Sequence, residues 1–212
     1  MDYIFKEYID PINIKSGIRF IKLSEVSNNH INELAKMYCT LFNSDNTNLL
    51  KLLDIAGRTN KEGLWSNEPY TYEVCTDIIT DYMSENYFGV VALGKAENKD
   101  LLIGASIYQI RSLAKIQENV GIIPFKVPED TEVWCEIDTF RREVTLDGNK
   151  VKYLSNKMRF YVLKMYKGNK QVLIYSSTNN PVMLKSWKKD GFTIANKPTS
   201  FGNNYQVFKL IY

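Results

Sequence analysis

The stretch that decides the fold is "SSTNNPVMLKSWKKDGFTI", residues Ser176 to Ile194. Asn180 is a residue type that caps helix starts, and Pro181 fits the first helical position, where its missing N–H is not needed. Gly191 accepts the left-handed backbone that commonly ends a helix. The stretch therefore predicts a short basic helix that is followed at once by a strand.

On the N-terminal side of this unit, and after it, the hydrophobic pattern alternates between helical and strand-like periods. Strands are predicted at "GIRFIKLSEV", "YFGVVALG", "LLIGASIYQI", "TEVWCEIDTF", "QVLIYSS", "FTIANK" and "YQVFKLIY", the second and third as a hairpin. Helices are predicted after "SNN", with "NSDNTNLL" ending the first one, after Pro69, and over "KVKYLSNKMRFYVLKMYK". Ile55 to Glu68 and Arg111 to Asp130 are expected to be long loops. A hairpin followed by strand-helix-strand crossovers predicts a mixed α/β sheet.

Length and composition limit the number of domains and the classes of function that the chain can have. With 212 residues, of which 44% are hydrophobic, the chain suits one domain over residues 1–212, with residues 1–16 as an N-terminal extension. No secretory leader and no apolar run of roughly 18 residues is visible, so we expect a cytoplasmic protein that does not bind a membrane. The 3 scattered cysteines and the single His30 offer no metal-ligand pattern and no histidine-based nucleophilic site, so no metal is expected.

The element order and "NNPVMLKSWKKDGF" together resemble the GNAT (GCN5-related N-acetyltransferase) superfamily. Its C-terminal signature reads Asn-Pro-x-Ala-x-x-Leu-Tyr-x-Lys-x-Gly-Phe, and the matching residues are Asn180, Pro181, Lys189, Gly191 and Phe192. The order of elements fits from about residue 17 to the end, whereas the motif covers this stretch alone. The resemblance implies a mixed, mostly antiparallel central sheet with helices on both faces. It also implies transfer of an acetyl group from acetyl-CoA, as cosubstrate, to an amine of a small molecule or peptide.

The resemblance also predicts where coenzyme A binds. The family's phosphate-binding turn, Arg/Gln-x-x-Gly-x-Gly/Ala, falls on "TLDGNK", where Gly148 matches and Thr145 and Lys150 depart. A glycine there lets backbone N–H groups approach a pyrophosphate, and nearby cations can add charge. The residues expected to contact the coenzyme are Thr139, Phe140, Arg141, Arg142, Gly148, Asn149, Lys150, Asn180, Trp187 and Lys189. The alternative is that "RREVTLDGNK" is a solvated hairpin or loop.

The resemblance further implies that a carboxylate on the strand "TEVWCEIDTF" is the general base. An amine must lose a proton when it attacks a thioester, and a positioned base accelerates such a step by about 10²–10⁴-fold. Strand alternation places Glu136 and Asp138 on one face. Glu136 is the first choice and Asp138 the second. For each, a solvated or ion-paired strand face is the alternative.

The family tyrosine that protonates the departing thiolate falls on Trp187, whose indole N–H donates hydrogen bonds but is not an acid near neutral pH. The general acid is therefore open, and the nearby candidates are Tyr175, Ser176, Ser177 and Tyr205. The departures at Thr145, Lys150 and Trp187 favour a second class of function, a GNAT-fold protein that binds a coenzyme or partner without turnover. In both classes of function we expect a monomer or a homodimer.

A third class is a nucleic-acid-modifying enzyme on the same fold. The net charge is only +3, but basic residues concentrate after residue 140. They are Arg141, Arg142, Lys150, Lys152, Lys157, Arg159 and Lys164. On a helix such residues usually form the solvated face opposite the apolar stripe. Nucleic acid is therefore not the expected partner.

Overall fold

The structure is a computed structural model that describes residues 5–55, 70–97, 99–120, 123–178, 181–195 and 205–212. In chain order the elements are β1 (Ile12–Ile14), β2 (Ser16–Lys22), α1 (Asn28–Ile55), α2 (Tyr72–Tyr82), β3 (Tyr87–Ala96), β4 (Lys99–Arg111), α3 (Leu113–Val120), β5 (Glu132–Arg141), β6 (Val144–Leu146), β7 (Asn149–Lys150), α4 (Leu154–Tyr166), β8 (Val172–Thr178), α5 (Pro181–Lys189), β9 (Thr193–Ile194) and β10 (Tyr205–Ile211). Short 3-10 turns lie at Lys6–Tyr8 and Leu23–Glu25. Asn180 and most of the first predicted loop, residues 56–68, lie outside the described residues.

The central sheet has the strand order β2-β3-β4-β5-β8-β10-β9. Its neighbouring strands are antiparallel except β5 and β8, which run parallel because α4 forms the crossover between them. α1 and α2 pack on one face of the sheet, and α4 and α5 pack on the other. The predicted mixed α/β domain, mostly antiparallel and with helices on both faces, is therefore confirmed.

The inner strands are buried on both faces. In β3, Val91 packs in one core with Leu34 of α1, whereas its neighbour Val90 packs in the other core with Met158 of α4. All four side chains are fully buried. The sequence of a strand that lies between two helical layers is a continuous apolar run rather than an alternation of apolar and polar residues. Burial of each such side chain contributes about 1.5–3 kcal/mol to stability. This double burial fixes the sheet that positions the candidate site.

Two predictions about helices need correction. α1 does not end at "NSDNTNLL" but continues to Ile55, because Asn, Ser and Thr weaken a helix by less than about 1 kcal/mol each and do not remove a backbone donor as proline does. α3 forms inside residues 111–130, where the sequence predicts a loop. Ser112 Oγ accepts a hydrogen bond from the N–H of Lys115 at 3.2 Å, and Ile116 is fully buried. A serine cap and one buried apolar residue therefore start a helix that the pattern did not predict.

A second sheet of three strands lies beside the first. β6 and β7 pair antiparallel, and β1 runs parallel to β6 with Ile12 opposite Val144. The turn residues Asp147 and Gly148 have φ of 49° and 79°, and a tight two-residue hairpin turn needs left-handed values at both positions. The hairpin alternative for "TLDGNK" is therefore confirmed.

Arg142 fastens the N-terminal segment to the domain. Its side chain is buried, and its Nη2 donates hydrogen bonds to the carbonyl oxygens of Glu7 and, at 3.1 Å, of Asp10. The guanidinium carbon lies 5.0 Å from the centre of the Tyr8 ring. These contacts hold the guanidinium against the N-terminal segment and do not favour the predicted binding of coenzyme phosphates by Arg142.

We expect Arg142→Met to lower the free energy of unfolding by about 1–3 kcal/mol, because two backbone carbonyls lose a charged donor. Residues 5–14 should also become more sensitive to limited proteolysis. Arg141→Met, at the exposed neighbouring position, is the matched control and should change stability by about 0.5 kcal/mol or less. Urea unfolding measures the difference. Equal stability of the two variants would show that Arg142 does not fasten this segment.

Candidate active site

The parallel strands β5 and β8 separate part-way along their length and form a fork. They pair as far as Cys135 and Tyr175, and no pairing between their described residues continues beyond that point. Glu136 and Ser176 follow directly and mark the apex of the fork, where Ser176 Oγ donates a hydrogen bond to the carbonyl oxygen of Glu136 at 3.2 Å. From residue 138 to 141, β5 pairs with β4 on one side only, as far as the described strands show. The fork therefore presents one unpaired edge of β5.

A bulge in β5 turns the two candidate acids to opposite faces of the sheet. Glu136 lies opposite Tyr108 and Asp138 lies opposite Ile107, so Ile137 is the extra residue. Glu136 consequently faces α4, and Asp138 faces α1 and α2. The prediction that both acids share a face was wrong, because alternation holds only along an uninterrupted strand.

Glu136 is at the centre of a complete hydrogen-bond network. Its carboxylate accepts hydrogen bonds from Arg159 Nε and Nη2, each at 2.8 Å, from Tyr108 Oη at 2.9 Å and from Thr139 Oγ1 at 2.8 Å. The side chains of Glu136 and Arg159 are 2% and 5% exposed. Burial alone would raise the pKa of Glu136, but the charge and hydrogen bonds of Arg159 hold it below its usual range. A carboxylate with its lone pairs engaged and a low pKa is a poor proton acceptor, so Glu136 does not fit the role of base.

Asp138 has the surroundings expected of a base. Its Oδ2 accepts hydrogen bonds from Tyr38 Oη on α1, at 3.1 Å, and from Tyr82 Oη on α2. Burial raises the pKa of Asp138 to about 6, although both tyrosine hydrogen bonds act to lower it. Burial and the neighbouring carboxylate raise the pKa of both tyrosines, so their hydroxyls stay protonated and donate. Asp138 therefore becomes the first-choice base.

Aromatic rings enclose the tyrosines that hold Asp138. Tyr38 stacks on Phe42 with ring centres 4.2 Å apart and meets Phe140 edge-on at 5.1 Å. Tyr70 and Tyr82 each contact Tyr38 edge-on at 6.5 Å. We call these five residues the aromatic wall. It fixes the two phenol groups in position and surrounds the Asp138 carboxylate with apolar rings.

The fork brings together only part of the predicted coenzyme site. Thr139, Phe140 and Arg141 lie on the β5 strand that carries the unpaired edge, although Thr139 donates its hydroxyl to Glu136 and Phe140 belongs to the aromatic wall. Arg141 is exposed at the end of the strand. Its backbone and side chain remain available to a ligand in the fork.

The other predicted coenzyme residues are dispersed. Gly148, Asn149 and Lys150 lie in the second sheet, where the N–H of Gly148 donates to Asn13 Oδ1 at 3.3 Å and Lys150 pairs with Glu143. The predicted phosphate turn is therefore a hairpin of another sheet. Of the residues on α5, Lys189 is exposed and Trp187 is buried.

The sequence analysis did not predict three residues that bind the candidate acids, namely Tyr38, Tyr82 and Arg159. Arg159 was grouped with the solvated basic residues, yet it occupies the buried side of α4 beside Met158. Its burial, and that of Arg142, also divides the basic cluster, so the cluster does not form one surface for nucleic acid. Among the candidates for the general acid, Tyr175 donates its hydroxyl to Gln206 at 2.5 Å and Ser176 donates its hydroxyl to the carbonyl oxygen of Glu136 at 3.2 Å.

Comparison with known proteins gives no match to a protein-family model and no match to a curated protein. Solved structures do match. An acetyltransferase from Thermus thermophilus is 8% identical, with a TM-score of 0.52 over 93% of this chain and 99% of that chain. A domain from Methanocaldococcus jannaschii is 15% identical, with a TM-score of 0.50 over 93% and 100%. The chain shares the fold of these two proteins.

At these identities the comparison shows the fold alone. The observed strand order and the parallel pair that opens into the fork agree with the mixed, mostly antiparallel sheet expected from the sequence. Within the described ranges, no three His, Cys, Asp or Glu side chains come together as metal ligands. No helix in the described part of the chain is long and apolar enough to cross a membrane.

We expect Glu136→Gln to lower the free energy of unfolding by about 3–5 kcal/mol, because it leaves the buried charge of Arg159 without its partner. Glu143→Gln is the matched control, since it breaks an exposed ion pair with Lys150 that contributes about 1 kcal/mol or less. Urea unfolding compares the two variants. A small effect of Glu136→Gln would contradict the structural role assigned to the pair.

Asp138→Asn should remove a pH dependence of stability. The folded-state pKa of about 6 lies above the ordinary value of about 3.9, so Asp138 stabilises the fold below pH 4, and this contribution is lost as the pH rises through 6. A shift of about two units corresponds to about 3 kcal/mol. Relative to the parent, the variant should therefore gain stability between pH 4 and pH 7. A difference in unfolding free energy that stays constant over this range would contradict the raised pKa.

Proposed function

We propose that the protein is an acyl-CoA-dependent N-acyltransferase that moves an acetyl group from acetyl-CoA to an amine of a small molecule or peptide. The observation that carries the proposal is the fork between β5 and β8 with Asp138 directly beyond its apex. A fork supplies a place for the donor, and a carboxylate with a pKa of about 6 supplies a base for the acceptor.

The unpaired edge of β5 suits the amide-containing arm of coenzyme A. An extended chain with amide groups can pair with an open strand edge as an added strand. α4 begins at Leu154 close after this strand, and the preceding Tyr153 provides no side-chain cap. The N–H groups of the first turn of α4 therefore favour an anion such as the pyrophosphate. The donor would lie with its phosphates at α4 and its thioester at the apex.

Asp138 and the backbone of the bulge have different roles in the proposed reaction. Asp138 accepts the proton that the amine loses as it attacks the thioester carbonyl, while Tyr38 and Tyr82 hold the carboxylate in place. Ile137 has no partner in β4, so its backbone is free of the ladder. A fixed backbone N–H near a carbonyl stabilises the negative charge that develops on its oxygen.

One observation favours a second candidate, a GNAT-fold protein that binds a coenzyme or partner without turnover. The segment "TLDGNK" forms a hairpin of the second sheet instead of a glycine turn at the start of α4. Phosphate binding then depends on α4 and on exposed cations alone. The first step of the experiment below separates weak or absent coenzyme binding from absent transfer.

The test starts with calorimetric titration of the purified protein with acetyl-CoA and CoA at low and moderate salt. We expect micromolar affinity, followed by release of free thiol when amines are screened as acceptors. Asp138→Asn should bind acetyl-CoA as the parent does and turn over about 10²–10⁴-fold more slowly. In the parent, the rate should fall as the pH drops below about 6, because the base must be ionised.

Asp77→Asn is the matched control, since Asp77 is an exposed aspartate on α2 and should leave turnover unchanged. No binding of either coenzyme would overturn the proposal. Binding without transfer to any amine would favour the second candidate.

A further inference from the structure

A pocket of about 380 Å³ lies beside the paired part of β5, before the apex of the fork. Aromatic and aliphatic side chains from four elements line it, namely Phe88 of β3, Ile110 of β4, Trp134 of β5 and Tyr166 at the end of α4. We call it the ring pocket. Its volume is within the range of small-molecule sites, about 300–1,000 Å³. The ring pocket therefore has room for a small organic ligand.

The ring pocket is separate from the candidate active site. Asp138 is four positions further along β5 than Trp134, a distance of about 13 Å along an extended strand. The two side chains also lie on opposite faces of the sheet, because Trp134 packs in one core with Met158 of α4 whereas Asp138 contacts α1 and α2. A ligand in the ring pocket consequently does not occupy the place of the acceptor beside Asp138.

The rings are held in position before any ligand arrives. The centre of the Phe88 ring lies 5.0 Å from the centres of the Trp134 and Tyr166 rings. Trp134 Nε1 donates to Glu132 Oε1 at 2.6 Å, and Tyr166 Oη donates to the carbonyl oxygen of Gly89 at 3.0 Å. Because both polar tips are engaged, the rings present their apolar surfaces to the pocket, and ligand binding requires little further ordering of these side chains.

The charged side chains that line the ring pocket leave one negative charge in excess. Glu132 and Lys170 form an ion pair, with Lys170 Nζ 2.8 Å from Glu132 Oε2, so their charges cancel. Glu85 is exposed, and no hydrogen bond or ion pair joins it to another residue of the described ranges. α4 ends at Tyr166, and the C-terminal end of a helix carries partial negative charge. The ring pocket therefore favours a ligand with a positive charge.

The lining also selects the kind of cation. A metal ion such as Mg²⁺ or Ca²⁺ needs several free oxygen ligands, but both carboxylate oxygens of Glu132 are already engaged. Ring faces attract ammonium groups, and Lys22 Nζ, from outside the lining, lies 5.8 Å from the centre of the Tyr166 ring. One excess charge matches a ligand with one ammonium group. The apolar rings match substituents that carry no charge.

We propose that the ring pocket binds a small organic cation, an ammonium whose apolar substituents pack against Phe88, Trp134 and Tyr166 while Glu85 balances its charge. Such a ligand also covers Ile110, an isoleucine that is 55% exposed. The inference does not rest on the proposed function, because the ring pocket and the proposed reaction share no residue.

Calorimetric titration with choline and with 3,3-dimethylbutan-1-ol, in the absence of acetyl-CoA, tests the inference. The two molecules have the same shape, but the second has carbon in place of the charged nitrogen, and neither has an amine that could be acetylated. We expect choline to bind at millimolar concentration and the neutral molecule to bind about tenfold more weakly, as a partly desolvated cation–π contact requires. Higher salt should weaken the binding of choline alone.

Two variants at exposed positions remove different features of the ring pocket. Ile110→Trp fills the pocket and should abolish the binding of both molecules. Glu85→Gln removes the excess charge and should weaken choline about fivefold without changing the affinity for the neutral molecule. Glu73→Gln is the matched control, since it removes an exposed negative charge on α2 and should bind choline as the parent does. Circular dichroism checks that each variant folds, and Glu85→Gln decides the test should Ile110→Trp not fold.

Asp138→Asn separates the ring pocket from the candidate active site, where an ammonium could also bind. We expect this variant to bind choline as the parent does. Choline binding that is lost in Asp138→Asn and kept in Ile110→Trp would overturn the inference, as would no binding, or equal affinity for choline and the neutral molecule. Choline binding that is lost in Ile110→Trp and unchanged in Asp138→Asn and Glu73→Gln supports it. No coenzyme is present in these titrations, so failure here is distinct from failure of the proposed function.

Discussion

Ile137 is an extra residue in β5 that has no partner in β4. From Asp138 onward, each side chain therefore lies on the face of the sheet opposite to the one that regular alternation from Glu136 predicts. Glu136 and Asp138 are thereby separated by the thickness of the sheet, although they are two positions apart in sequence. Glu136 points to a buried cation on α4, whereas Asp138 points to two phenols on α1 and α2. The bulge therefore gives one strand two carboxylates of different character, as a site with one structural and one chemical acid requires.

The Glu136–Arg159 pair shows how such a site can be stable. Removing two charges from water costs several kcal/mol per ion, and only good geometry and further hydrogen bonds offset that penalty. Here the carboxylate is fully bonded, whereas Arg159 Nη1 makes no hydrogen bond among the described residues and lies 3.6 Å from Asp190 Oδ2. The remaining cost is therefore concentrated on one nitrogen at the apex of the fork. The hydrogen bonds of Glu136 and the ion pair with Asp190 hold the guanidinium in place despite this cost.

Elements with local signals were predicted correctly, and features that depend on distant pairing were not. Pro181 starts α5, and Gly191 follows it with φ of 78°, because these preferences belong to the residues themselves. The bulge at Ile137 leaves no trace in a sequence that alternates like a regular strand. Arg159 reads as one more surface cation, since its burial depends on Glu136, 23 residues earlier. The dipeptide Asp147-Gly148 is itself a local signal for a hairpin turn, whereas the family pattern predicts a phosphate-binding turn at the same residues.

The two faces of the sheet also separate the two substrates of the proposed reaction. In the proposed reaction the donor would lie along the edge of β5, whereas Asp138 and the aromatic wall face α1 and α2. Ring faces carry partial negative charge and attract cations, so an ammonium is favoured next to Asp138. Its approach would lower the pKa of Asp138, and deprotonation of the amine would let that pKa rise again. The carboxylate would thus bind the acceptor best while the amine is charged and accept a proton best once the amine is neutral.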